Sequence, residues 1–273
     1  MRREGMQMPS ASKTGKTTRS KAGTTAKKRV SKAQKKQIMQ RRRMILAGAA
    51  AALVLLWFAR MAWYPITGGQ LRDFGWQGDT SFGEVWQLNH LLRKYKITSR
   101  PSLTMFFATA ASESGKGRLT LEEGGEDYYA AHGYSTNDRG AGYLQLTHRT
   151  EQLAFLQAVG DDFDGADTAS YIAEHYPWES ACWEWSVGKT APDPNPNTYA
   201  KKRGNTVEVF LATQYAINGW TISDDALGKI VQGADYTVSA DGTSITVGGE
   251  TAPAPKNWPD RLAYYQQALE IWG

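Results

Sequence analysis

The chain has 273 residues and a formal net charge of +5 at pH 7. This sum combines two regions of opposite charge. Residues 1–43 hold 15 of the 32 Lys and Arg residues and one of the 27 Asp and Glu residues, so they carry +14. The remaining residues carry −9. The single cysteine, Cys182, excludes an intramolecular disulfide and a cysteine-based zinc site.

Residues 1–43 are rich in Lys, Arg, Ser, Thr, Ala and Gly and contain no aromatic residue. Such a composition cannot bury enough apolar surface to offset its ordering entropy, so the sequence predicts a disordered tail. A basic arm of this kind either binds nucleic acid through its phosphates or flanks a membrane segment on the cytoplasmic side. The apolar segment that follows favours the membrane flank, and we expect no specific nucleic-acid partner.

Residues 44–59 form an uninterrupted apolar run, which Arg60 interrupts before it continues to residue 66. A bilayer core needs about 20 apolar residues, and the whole segment is long enough because an arginine near one end can reach the headgroups. The arginines at 41–43 place the tail in the cytoplasm. We therefore predict a single-pass anchor over 44–66 with the following domain outside the cytoplasm. A cleaved signal peptide is the alternative, but its basic region is usually far shorter.

A Gly-rich linker is predicted over 67–79, followed by one mostly helical domain over 80–273. Ser81 and Glu84 have the spacing of a capping box, and apolar residues at helical spacing follow as far as Ile97. Ser99 and Pro101 then open the next helix.

The C-terminal third of the chain contains two further predicted helices and a hairpin. One helix covers 207–217 and ends at Asn218-Gly219, and the last helix runs from Pro259 to Ile271. Residues 236–247 alternate between apolar and polar types around Asp241-Gly242, which predicts a β-hairpin. The expected fold class is therefore mainly α with a small hairpin.

Carboxyl groups in the middle of the chain are candidates for acid–base chemistry. Glu113 lies at the edge of the apolar face of the helix over 103–114, where partial desolvation suits a general acid. The alternative is a solvated glutamate near a helix C-terminus. Glu122, Glu123 and Glu126 lie in a glycine-bearing loop, and their positions alone do not say which of them is a base.

Five motifs together resemble the family 19 glycoside hydrolases, the chitinase-like group of the lysozyme superfamily. The resemblance covers about residue 82 to the C-terminus, and the order of the motifs is more specific than any one of them. They are the helix end Phe106 to Gly115, the Arg-Gly-Ala-Gly-Tyr-Leu-Gln-Leu-Thr run at 139–147, Ala-Cys-Trp-Glu-Trp at 181–185, Ile-Asn-Gly at 217–219, and Arg-Leu-Ala-Tyr-Tyr at 261–265.

This resemblance implies a lysozyme-like, chitinase-like helical domain that cleaves β-1,4 linkages in an N-acetylated polysaccharide by an inverting mechanism. Peptidoglycan is favoured over chitin for an anchored bacterial form. Glu113 matches the catalytic acid of the family, and Glu122 is favoured as the base. Neither a cofactor nor a metal is implied, and the implied sugar-contacting residues are Gln145, Thr147, Asn218 and Tyr143.

Two departures from the family pattern motivate a second hypothesis. Ser112 stands where the family usually has histidine, and Glu151-Gln152 stands where it has Asn-Tyr. The alternative function is a non-catalytic module on the same fold that binds glycan or a protein partner in the cell envelope.

Overall fold

The computed structural model describes residues 31–61 (of 57–61 only the backbone), 65–131, 133, 135–189, 195–219 and 221–273. The chain divides into two compact units, Met1–Arg60 and Met61–Gly273. Most of the tail predicted to be disordered, residues 1–30, lies outside the described residues.

One long helix, α1 (Lys32–Met61), makes up the described part of the first unit. It begins inside the predicted disordered tail because Ser31 and Gln34 form a capping pair. The Gln34 N–H donates to Ser31 Oγ and the Ser31 N–H donates to Gln34 Oε1, each at 3.2 Å. The Lys, Arg, Gln and Ala residues that follow are all good helix formers.

The anchor predicted over 44–66 falls partly on α1 and partly outside the described residues. Its residues 62–64 and the side chains of 57–61 are not described, and the described apolar side chains over 44–56 fall short of the roughly 20 that a bilayer core needs. Within the part of the chain that the structure covers, no helix is both long and apolar enough to span a membrane.

The second unit is mainly helical with one small sheet, as predicted. The strands are β1 (Tyr236–Val238), β2 (Ser244–Val247) and β3 (Glu250–Pro253). The helices are α2 (Gly68–Asp73), α3 (Phe82–Lys94), α4 (Arg100–Ser114), α5 (Glu126–Ala131), α6 (Arg149–Val159), α7 (Thr168–His175), α8 (Pro177–Trp183), α9 (Pro196–Arg203), α10 (Val207–Asn218), α11 (Asp224–Val231) and α12 (Trp258–Trp272), with a 3₁₀ turn at Thr136–Asp138 and a π-helical turn at Glu184–Gly188.

Helix α4 is the centre of the second unit. Its Ser99 side chain caps the first turn, and Gly115 ends it in the left-handed conformation at φ 59°. Residues 102–111 are buried on every side of the helix, and α12 packs along it, with the rings of Phe107 and Trp272 stacked 4.5 Å apart. The core therefore holds α4 rigidly, and Glu113 lies at the C-terminal end of this helix.

The segment predicted as a linker over 67–79 is instead folded into the second unit. Thr67 makes a capping box with Gln70 and opens α2. Leu71, Phe74 and Trp76 then bury their side chains in the main core. A glycine-rich composition had suggested a flexible spacer, but three large apolar residues at close spacing drive this segment against the domain.

The predicted hairpin is confirmed as β1 and β2, which pair antiparallel with Tyr236 opposite Val247. A third strand, β3, extends the sheet and pairs antiparallel with β2. Helices α3, α4, α10 and α12 lie within a few residues of their predicted bounds.

Candidate active site

A cleft of about 260 Å³ lies where the C-terminal ends of α4 and α10 approach the 139–147 segment. Five of the six site residues predicted from the sequence line it together with two apolar side chains. The lining residues are Glu113, Glu122, Leu144, Gln145, Thr147, Ile217 and Asn218.

Glu113 is held at one wall of the cleft by a buried arginine of α12. Arg261 Nη2 donates to Glu113 Oε1 at 2.7 Å, with the Arg261 side chain 3% exposed and that of Glu113 18% exposed. The same Nη2 donates to Asn218 Oδ1 at 3.1 Å, and Nη1 donates to Gln214 Oε1 at 2.7 Å. One guanidinium therefore fixes side chains from the ends of both α4 and α10.

Glu122 is held by the backbone of the neighbouring segment. Its own N–H donates to the Gly140 carbonyl at 2.8 Å, and the Gly140 N–H donates back to Glu122 Oε2 at 2.9 Å. Tyr128 donates from its hydroxyl to Oε1 at 3.4 Å, and Tyr129 donates to the Glu122 carbonyl at 2.9 Å. The carboxylate is thus oriented by residues on both sides of its loop.

The 139–147 segment forms the floor through a tight backbone turn. Ala141 pairs with Leu146, and Gly142 N–H donates to the Thr120 carbonyl at 2.7 Å. Gln145 adopts a positive φ of 56°, and Thr147 Oγ1 donates to its carbonyl at 2.7 Å. This turn presents Gln145 and Thr147 to the cleft from one short stretch of chain.

Comparison of the sequence with models of protein families and with curated proteins gives no match. Solved structures do match, among them three chitinase structures. Chitinase C from Streptomyces griseus HUT6037 has a TM-score of 0.50 and 18% identity, over 77% of this chain and 93% of that chain. A mutant of chitinase C has a TM-score of 0.51 and 17% identity, over 77% and 93%. A bacterial family 19 chitinase has a TM-score of 0.51 and 16% identity, over 77% and 96%.

The chain has a family 19 chitinase-like fold. The resemblance found in the sequence motifs is therefore confirmed for the fold. Three of the five motifs supply residues that line the cleft, and a fourth supplies Arg261, which binds Glu113.

Tyr143 is the predicted site residue that does not line the cleft. It is 6% exposed, and its ring packs 5.0 Å from Trp76 and 4.3 Å from Trp178, so the structure does not bring it to the cleft. Burial raises the pKa of its hydroxyl to about 12. Tyr143 therefore packs in the core, whereas the next two residues, Leu144 and Gln145, line the cleft.

Arg261 is the residue of this site that the sequence reasoning missed. It belongs to one of the five motifs, but the resemblance assigns it no role. Buried charges are found with partners, but no local pattern marks Arg261 as buried, since Asp260 beside it is exposed. The sequence also does not identify Glu113 as the partner, since 148 positions separate the two residues.

Glu184 is a buried carboxyl to which the sequence analysis gives no role. It is 3% exposed, Lys189 Nζ lies 3.4 Å from its Oε1, and its Oε2 has no hydrogen-bond partner in the described part of the chain. Burial raises the pKa of Glu184 to about 7, and the charges of Glu113 and Glu151 add to this rise while Lys189 opposes it.

Of the other two candidate carboxyls, Glu123 lies in the loop and Glu126 is the first residue of α5; both are exposed and do not line the cleft. Over the described ranges, no group of three His, Cys, Asp or Glu residues is placed to hold a metal ion.

Proposed function

We propose that this chain is a glycoside hydrolase that cleaves β-1,4 linkages of an N-acetylated polysaccharide. The observation that carries the proposal is the presence of two carboxyls, Glu113 and Glu122, in one cleft with three polar side chains. Hydrolysis of a glycosidic bond requires such a pair, because one group protonates the leaving oxygen and the other activates water or attacks the sugar.

In the proposed mechanism, Glu113 is the general acid. Arg261 donates to Oε1 and orients the carboxyl, so that the other oxygen is left to deliver the proton to the leaving group. Because Arg261 is itself fixed by Gln214 and Asn218, this orientation exists before substrate binds.

Glu122 is the proposed general base. Its carboxylate accepts from the Gly140 N–H and the Tyr128 hydroxyl, which hold it as an acceptor facing the cleft. An inverting reaction needs about 6.5–9.5 Å between the two carboxyls to admit a water molecule, against about 5–5.5 Å for a retaining one. We propose the inverting course.

The polar floor and the end of α10 are proposed to hold the sugar. Gln145, Thr147 and Asn218 offer amide and hydroxyl groups that match the hydroxyls and acetamido groups of an N-acetylated glycan. Leu144 and Ile217 supply apolar surface for the faces of the sugar rings.

Peptidoglycan is the proposed substrate, with chitin as the alternative, and the proposed location is the outer side of a cell membrane. The basic run at 41–43 followed by apolar residues supports this location. Apolar side chains of α1 over 44–56 are largely exposed in the chain alone, as expected of a helix that meets an apolar environment. Fractionation of cells that express the full chain, with protease added from outside, tests this placement.

The catalytic proposal is tested with Glu113→Gln and Glu122→Gln, assayed on purified peptidoglycan and on chitin oligomers. We expect both variants to lose hydrolysis while keeping glycan binding, and the fresh product of the parent chain to have the inverted anomeric configuration by NMR. Glu123→Gln and Glu126→Gln are matched controls because these residues lie within four positions of Glu122 but are exposed outside the cleft, and we expect them to retain activity.

Two results would contradict the proposal. Full activity of Glu113→Gln would mean that Glu113 is not the general acid. Glycan binding by the parent chain without hydrolysis of either polymer would favour the non-catalytic binding module, which Ser112 and Glu151 motivate as departures from the family pattern.

A further inference from the structure

An exposed aromatic stripe runs along α3, outside the candidate cleft. It consists of Phe82, Trp86 and His90, which are four residues apart and therefore lie on one face of the helix. Phe82 is 70% exposed and Trp86 is 51% exposed, and Phe82 is the most exposed of the large apolar side chains described in the second unit. None of the three residues lines the cleft, so the proposed hydrolysis gives this surface no use.

The surroundings of the stripe on α3 carry no exposed carboxylate. The helix is described over its whole length, and its one acid, Glu84, is partly buried and stands on the side opposite Trp86. The charge of Lys94 at the end of α3 is offset by Glu179 at 2.6 Å. Trp86 and His90 have ring planes 17° from parallel, with their centroids 6.3 Å apart. The stripe is therefore an aromatic surface without negative charge on a domain that is acidic overall.

The chain enters the second unit beside this stripe. The Ile66 N–H donates to Asn89 Oδ1 at 3.0 Å, and Asn89 Nδ2 donates to the Ile66 carbonyl at 2.9 Å. Asn89 lies three residues after Trp86 and seven after Phe82, so it occupies the neighbouring side of α3. Ile66 is 1% exposed in the core, so a membrane-inserted part of the apolar segment predicted over 44–66 ends before it. The chain therefore passes from that segment to α3 within a few residues, next to the stripe.

A basic side chain flanks the start of α3. Arg72 of α2 is exposed, and its Nη1 donates to Thr80 Oγ1 at 3.4 Å, two residues before Phe82. Tryptophan and phenylalanine rings suit the boundary between lipid headgroups and hydrocarbon, and arginine is attracted to anionic headgroups. Aromatic rings and an exposed arginine beside the end of an apolar segment are thus the combination expected of a surface that meets a membrane.

We propose that the stripe docks on the surface of a phospholipid bilayer, with Phe82 and Trp86 at the level of the headgroups and Arg72 facing anionic lipid. This inference rests on the proposed membrane location and does not depend on hydrolysis. Docking of α3 adds a second contact to the covalent link that precedes residue 65. It therefore fixes which face of the second unit is turned to the membrane, whereas the link alone leaves that face free to vary.

The experiment attaches a nitrobenzoxadiazole fluorophore to single cysteines of the full chain, reconstituted in vesicles of phosphatidylcholine and phosphatidylglycerol. Gly83→Cys places the label next to the stripe, where an added Cβ meets no atom within 4 Å. Val54→Cys reports on the predicted anchor, and Thr237→Cys, exposed on β1, is the matched control. Cys182 is buried, and burial raises the pKa of its thiol, so the native cysteine does not compete for the label.

We expect spin-labelled lipid to quench the labels at positions 83 and 54, with blue-shifted emission, and not the label at position 237. The double variant Phe82→Gln and Trp86→Gln should abolish lipid quenching at position 83 and leave it unchanged at position 54, because the rings are what enters the headgroup layer. Leu153→Gln removes another exposed apolar side chain, on α6, and should change neither signal. Thermal unfolding checks that every labelled variant is folded.

Three results would overturn the inference. A label at position 83 that stays in water while the label at position 54 is in lipid rejects the docking and leaves the membrane location standing. A label at position 54 that stays in water rejects the location and the docking together. A saturable change at position 83 on addition of chitin oligomers, without quenching by lipid, assigns the stripe to glycan instead. Hydrolysis by the parent chain is measured separately, so its failure is distinguishable from all three.

Discussion

Arg261 is the residue on which the geometry of the cleft depends most. Its guanidinium contacts Glu113, Gln214 and Asn218, and its Nε donates to the Lys256 carbonyl at 2.6 Å. Removing one member of a buried charge pair leaves the other without compensation, which commonly costs about 3–5 kcal/mol.

We predict that Arg261→Lys lowers glycan hydrolysis about 100-fold, because an ammonium group cannot reach all of these acceptors and Glu113 loses its fixed orientation. The measurement is kcat on a soluble glycan oligomer together with urea unfolding. Arg203→Lys is the control, because Arg203 is exposed at the end of α9. Unchanged kcat in a folded Arg261→Lys protein would show that the bond to Glu113 does not position the acid.

Glu184 gives a pH-dependent prediction at the same scale. The pKa of Glu184 is raised from 4.5 to about 7 in the fold. Between pH 4.5 and pH 7 this carboxyl is therefore mostly protonated in the folded state and mostly ionised in the unfolded state. The stabilisation from the protonated carboxyl is therefore complete below pH 4.5 and is lost as pH rises through 7. The loss is on the order of 3 kcal/mol.

Glu184→Gln is expected to remove this loss because the amide stays neutral. The difference in unfolding free energy between Glu184→Gln and the parent should favour the variant more at pH 8 than at pH 5, measured by urea unfolding at both values. Glu123→Gln, which is exposed, should show no such change. A difference that is constant with pH would mean that Glu184 does not titrate in this range in the fold.

At the scale of elements, the floor turn is possible only with glycine at position 142. Gly142 has a φ of 72°, and a Cβ there would lie 2.1 Å from Ser180 Oγ and 3.0 Å from the Pro177 carbonyl. An added methyl group therefore meets both a strained backbone conformation and the start of α8. The turn that presents Gln145 and Thr147 is thus packed directly against another helix.

We predict that Gly142→Ala destabilises the fold by about 2 kcal/mol or more and weakens glycan binding through displacement of the floor. Gly83→Ala is the matched control, since Gly83 lies in α3 with no atom within 4 Å of an added Cβ. That substitution should be neutral or stabilising by up to about 1 kcal/mol. Thermal unfolding and binding to chitin oligomers measure both. A Gly142→Ala protein as stable as the control would contradict the close packing.

The sequence predicts those elements whose determinants are local. The caps at Ser81 and Ser99 and the Asp241-Gly242 turn act over a few residues, and the helices and hairpin that they define are confirmed. The capping pair of Ser31 with Gln34 was equally local and could have been found in the same way.

The features that the sequence did not predict depend on contacts between distant segments. Leu71 and Phe74 read as part of a linker because nothing nearby shows that α4 and α12 form a surface for them. The position of Tyr143 in the core depends on Trp76 and Trp178, which are far from it in sequence. Motif order identified the fold, whereas the pairing of Arg261 with Glu113 required the structure.

At the scale of the whole molecule, the boundary of the second unit decides how a soluble form should be made. The domain predicted to start at residue 80 lacks Ile66, Leu71, Phe74 and Trp76, which are 0–5% exposed in the core. It also lacks the carbonyl of Phe74, which accepts from Lys116 Nζ at 2.9 Å. Each buried side chain of this size contributes about 1.5–3 kcal/mol.

We predict that a fragment of residues 65–273 unfolds cooperatively and that a fragment of residues 80–273 does not fold stably. The four side chains together contribute on the order of 6–12 kcal/mol, which is comparable to the total stability of a typical domain. Urea unfolding and the dispersion of amide signals in ¹H–¹⁵N spectra distinguish the two fragments. Equal stability would mean that α2 and the residues around it dock on the domain without stabilising it. If the shorter fragment does not fold stably, its inactivity reflects an incomplete core, so the hydrolysis experiments require the longer fragment or the full chain.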